Sequence, residues 1–182
     1  MESRKTDARQ EEVFRLPSWE QLPDIDLYMD QVLLLVDRSL HGFPGYEERG
    51  LTASMVNNYV KQGVLPAPIK KRYGRQHLAC LLMICALKPA LPISAIRAVT
   101  ERQMEAHAPE QVYGDFCRVF EKTAEEAAMQ TAPADAEGDA ADRIWGAALR
   151  AAAEQARAVL LYRAAFENDC EDTVMAANGE KK

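Results

Sequence analysis

The sequence predicts a mainly α fold in which an N-terminal arm leads into a cluster of short helices and then a longer helical extension. Three observations carry this expectation. Apolar residues recur at helical spacing through most of the chain after residue 27. The stretch of residues 64–74 (VLPAPIKKRYG) is short and holds two prolines, so it fits a turn or a small hairpin. A small, polar, acidic spacer, TAPADAEGD, separates the last two helical patterns as a loop or linker.

Residues 1–12 are polar and charged without an apolar period, so a tail is expected over residues 1–13. Residues 14–27 carry Pro17 and Pro23 among Phe14, Leu16, Trp19, Leu22 and Ile25, the pattern of an extended arm anchored by large side chains. A first helix is expected over residues 27–40, flanked at its start by Asp26 and Asp30 and broken by HGFPGYEERG. Thr52 can cap a second helix over residues 53–62. There Met55, Val56, Tyr59 and Val60 share one side, Ser54, Asn57, Asn58 and Lys61 the other, and Gly63 supplies the stop. A third helix over residues 75–87 contains LACLLMICAL, too short to span a bilayer and suited to a core. After KPALP, Ile93, Ile96 and Val99 mark a fourth helix over residues 93–103, and two longer ones follow over 109–129 and 139–168. The last has a stripe of Trp145, Leu149, Ala152, Ala156, Leu160 and Phe166, suited either to packing within the subunit or to a dimer contact.

The 182 residues are 48% hydrophobic and 27% charged, enough for one modest core with appendages and not for two full enzyme domains. The net charge of −6 conceals an asymmetry. Residues 49–100 hold Arg49, Lys61, Lys70, Lys71, Arg72, Arg75, Lys88 and Arg97 without a single Asp or Glu. That window carries +8 and the rest −14. A single-sign segment inside an acidic chain fits a polyanion-binding face, or a solvated face whose counter-charges come from the flanking acidic helices.

Enzyme chemistry is not expected. His41, His77 and His107 are scattered, and no phosphate-binding glycine loop occurs. Cys80, Cys85, Cys117 and Cys170 form no CxxC pair and read as small hydrophobes, so neither metal nor cofactor is expected. The acidic face formed by Glu121, Glu125 and Glu126 reads as solvated. The start of the sequence lacks the features of a signal peptide, and a cytoplasmic location is expected.

The segments LTASMVNNYVKQGVLP, KKRYGRQHLACLLMICALK and PISAIRAV resemble, in order, the DNA-binding domain of MerR-type proteins. The likeness is greatest to an uncharacterised branch from Gram-positive bacteria that carries a domain of unknown function, whose N-terminal arm LPSWEQLPDIDLYMDQV also resembles. Tyr59 and Gly63 match the end of that family's reading helix, Tyr73 and Leu78 the entry to its third helix, and Ile84 and Ile96 its core positions. The resemblance implies a winged helix-turn-helix over residues 14–104, with a reading helix at 53–62, a basic wing at 66–74, and a C-terminal helical region at 105–182 for dimerisation or effector sensing. It further implies a homodimeric transcriptional regulator of double-stranded DNA, open to a small-molecule effector. Where such proteins carry Arg-Tyr-Tyr, this chain has Asn57-Asn58-Tyr59. An Asn can pair with an adenine edge through two hydrogen bonds, which shifts base reading onto the amide side chains. Ser54, Asn57, Asn58, Lys61, Lys70, Lys71, Arg72 and Arg75 are therefore the candidate DNA contacts. The alternative is a protein-interaction or effector-binding module that keeps the fold without binding DNA, with a hydrophobic cavity near Trp19 or Trp145 in the effector case.

Overall fold

The computed structural model describes residues 14–43, 46, 50–131 and 140–166. The expected tail, most of the acidic spacer, Cys170 and the end of the last expected helix lie outside the described residues. Six α-helices account for most of what is described: α1 (Met29–Leu40), α2 (Ala53–Lys61), α3 (Arg75–Leu87), α4 (Ile93–Ala106), α5 (Pro109–Thr131) and α6 (Ala140–Phe166). Among the described residues there is no β-strand, only two isolated bridges. No helix described is long and apolar enough to cross a membrane.

α3 organises the core because it is apolar on every side. Its residues from Leu78 to Cys85 are all buried, the condition for a helix surrounded by others. α1 packs on one side of it through Val32, Val36 and Leu40, spaced four apart on one face, and α5 packs through Val112, Tyr113 and Cys117. α4 adds Ala95 and Ile96, and α2 adds Val56 and Tyr59. The expected core positions Ile84 and Ile96 are both buried, as are Cys80, Cys85 and Cys117, free thiols that serve as small hydrophobes.

The arm is held at several points. Leu16 and Leu22 are buried, and Trp19–Gln21 forms a single 3-10 turn with the Trp19 ring 6.3 Å from that of Tyr113. The Tyr113 hydroxyl donates to the Pro17 carbonyl at 2.8 Å, and Phe14 packs against Phe43 and Phe120 at centroid distances of 5.2 and 5.8 Å.

α1 begins at Met29, two residues later than its periodicity suggests, because Leu27 is engaged elsewhere. Its N–H donates to the Tyr73 carbonyl and its carbonyl accepts from the Tyr73 N–H, both at 2.9 Å. The Gln31 side chain then accepts from the Tyr28 N–H at 2.9 Å and closes the first turn. α6 meets α4, where the Gln155 amide donates to the Pro89 carbonyl at 3.3 Å and the Arg102 guanidinium lies 5.2 Å from the Phe166 ring. Of the expected stripe, Trp145, Leu149 and Leu160 are more than three-fifths exposed, whereas Phe166 at its end meets Arg102 of α4.

Candidate nucleic-acid interface

α2 is a short helix with a defined start, buried side and end. The Thr52 hydroxyl accepts from the Met55 N–H at 3.3 Å, satisfying one of the unpaired donors of the first turn. Val56 and Tyr59 face the core, and burial pushes the Tyr59 hydroxyl above its ordinary pKa and keeps it neutral. The other side exposes Ser54, Asn57, Asn58 and Lys61, which line one shallow open concavity with Met55. Four of the eight candidate contacts thus share a surface.

The helix ends at Gly63, whose φ of +71° is the left-handed conformation glycine adopts at little cost. A Cβ there would also meet the Arg97 guanidinium carbon at 3.3 Å. Arg97, on α4, donates to the Gln62 carbonyl at 3.1 Å and to the Glu101 carboxylate at 2.8 Å, so it satisfies a free carbonyl at the end of α2. Nothing in its local sequence marked Arg97 for this position.

Residues 69–72 form a two-residue turn. Ile69 and Arg72 exchange both backbone hydrogen bonds, at 3.2 and 2.9 Å, and the central residues Lys70 and Lys71 have φ of 50° and 64°. Positive φ at both central positions is the signature of a type I′ hairpin turn, normally built from Asn and Gly. The two exposed lysines are therefore held out on strained backbone.

Arg72 and Arg75 face the arm. The Arg72 guanidinium lies 3.6 Å from the centre of the Tyr28 ring, and it donates to the Tyr28 hydroxyl at 2.6 Å and the Asp26 carbonyl at 3.4 Å. Arg75, in the first turn of α3, is 3.7 Å from the Asp24 carboxylate and 5.7 Å from the Trp19 ring centre. Its side chain is only 22% exposed. Arg75 thus has a partner within the chain, and Trp19 serves as an anchor for it. Tyr73 is buried, with its ring edge-on to His77. No group of three or more His, Cys, Asp or Glu residues that could hold a metal ion occurs among the described residues.

These features define a mainly helical protein in which an exposed polar helix face and a lysine-tipped turn lie within one acid-free stretch of chain. The profile of a domain of unknown function, DUF1836, matches residues 17–116, more than half of the chain, and the protein belongs to that family. The match begins in the arm and runs into α5, so most of the arm, α1 to α4 and the turn are within it. No curated protein and no solved structure matches the chain.

Proposed function

We propose that the protein is a transcriptional regulator that binds double-stranded DNA through α2 and the lysine turn, as a winged helix-turn-helix of MerR-like type. The observation that carries the reading is the pairing of two exposed surfaces in a stretch without one carboxylate: Ser54, Asn57, Asn58 and Lys61 on α2, and Lys70 and Lys71 on the turn. The amides and the hydroxyl have the chemistry to read base edges, and the lysines have the charge to neutralise phosphates. The turn, with Leu27 and Tyr73 bridged beside it, supports its assignment as a minimal wing.

Regulators of this geometry act as dimers, with reading helices set about 34 to 36 Å apart, one turn of duplex. The apolar residues that α6 leaves exposed support a second copy of the chain as their partner. An effector would find room in an open groove of about 660 Å³ between the arm, α1 and α5, lined by Arg15, Ser18, Arg38 and Ser39 among others.

The test is fluorescence anisotropy with random-sequence duplex DNA across a salt series, comparing wild type with the Lys70→Ala, Lys71→Ala, Arg72→Ala triple variant. The expected result is a steep log–log salt slope that flattens in the variant by about 0.9 per lost phosphate contact. Absence of binding by the wild type at low salt would overturn the DNA reading. It would favour a protein-interaction module, with which the net −14 outside the basic window agrees.

A further inference from the structure

The two isolated bridges share a register with a consequence for the arm. Leu27 pairs antiparallel with Tyr73, and Arg72 with Ile69, so three extended segments lie side by side. Antiparallel pairing sets Tyr28 opposite Arg72 and Asp26 opposite Gly74, and alternation sends neighbours to opposite faces. Exposure follows that pattern. Leu27 and Tyr73 are buried, whereas Tyr28 and Ile69 are 51% and 74% exposed. The outer face is therefore a row of Tyr28, Arg72 and Ile69, with Lys70 and Lys71 at one edge and the exposed Asp26 opposite Gly74 at the other.

Within this row, Arg72 is held in place. Its guanidinium rests on the Tyr28 ring and spends two of its five N–H donors on the Tyr28 hydroxyl and the Asp26 carbonyl. The remaining donors have no partner among the described residues and keep the fork geometry that suits a phosphate. An arginine ordered in advance loses less side-chain freedom when it binds.

From this geometry we propose that the N-terminal arm forms part of the DNA-contacting edge, with Tyr28 as a positioning residue that holds Arg72 toward the phosphate backbone. The proposal rests on the DNA reading above and assigns a role to a residue outside the basic window. Tyr28 carries no charge, so it can change the salt dependence of binding only through Arg72.

The experiment is a double-mutant cycle on duplex affinity across a salt series with wild type, Tyr28→Ala, Arg72→Ala and the double variant. Tyr28→Ala is expected to weaken binding roughly 3- to 10-fold. It should also lower the salt slope by about 0.9, as Arg72→Ala does, although no charge is removed. In the Arg72→Ala background the Tyr28 substitution should have no further effect. Equal weakening by Tyr28→Ala in both backgrounds, or an unchanged salt slope, would overturn the role of Tyr28 and leave the DNA reading intact. Wild type that binds no DNA would overturn both. If Tyr28→Ala does not fold, Tyr28→Phe keeps the ring, removes the hydroxyl and completes the same cycle, and additivity there would count against the proposal.

Discussion

Lys70 and Lys71 occupy backbone that residues with a side chain avoid, and the turn that holds them admits Asn-Gly far more readily. Replacing the pair with Asn and Gly should therefore stabilise the fold by about 1 kcal/mol. In a chain of this size that amounts to roughly 2–4 °C in Tm by calorimetry. The same variant should bind DNA more weakly and with a flatter salt slope, since two positive charges leave the turn. Stability and binding moving in opposite directions would mark this strain as kept for function. The lysines were legible in the sequence because charge is a local property. The contacts of Arg72 with Tyr28 and Asp26 were not, because they span 44 and 46 positions and follow from the Leu27–Tyr73 bridge, which leaves no periodic trace.

At the scale of elements, legibility followed the sharpness of the boundaries. α3 spans the residues its sequence indicates because Gly74 precedes an apolar run and KPALP ends it. α1 starts two residues later than expected because Leu27 completes a bridge to Tyr73. α4 and α5 run two or three residues beyond their expected ends, where the amphipathic pattern fades and no breaker follows at once. α2 is the shortest of the helices and depends on its ends, so Thr52→Ala should cost about 1 kcal/mol, read as a lower denaturation midpoint in urea with an unchanged m-value. Residues 66–74 were legible as a turn, but their two-residue hairpin with isolated bridges depends on Tyr73 pairing with Leu27.

For the whole molecule, two measurements follow. α6 spans about 40 Å along its axis and exposes Ile144, Trp145, Leu149, Leu160 and Leu161, an apolar surface that a lone copy leaves in water. Leu149→Glu with Leu160→Glu should shift the sedimenting species from dimer to monomer at micromolar concentration while helix content by circular dichroism stays the same. Equal mass for both proteins would remove α6 as the dimer contact. The core makes a separate prediction in alkali. Burial pushes Cys80 up to about 12, Cys85 to about 11 and Tyr46 to about 12. The folded state therefore keeps protons that the unfolded state releases above about pH 9. Stability should be level below that pH and fall as pH rises toward 12. Cys80→Ala, whatever its cost at neutral pH, should make that decline shallower in urea titrations.

The contact made by Arg97 ties the end of α2 to α4. One side chain of α4 is bonded to the Gln62 carbonyl just beyond α2 and to its own helix through Glu101, and farther along α4 Arg102 reaches the end of α6. A change at α6 would have to move α4, and with it the buried Ala95 and Ile96, before it reached Gln62.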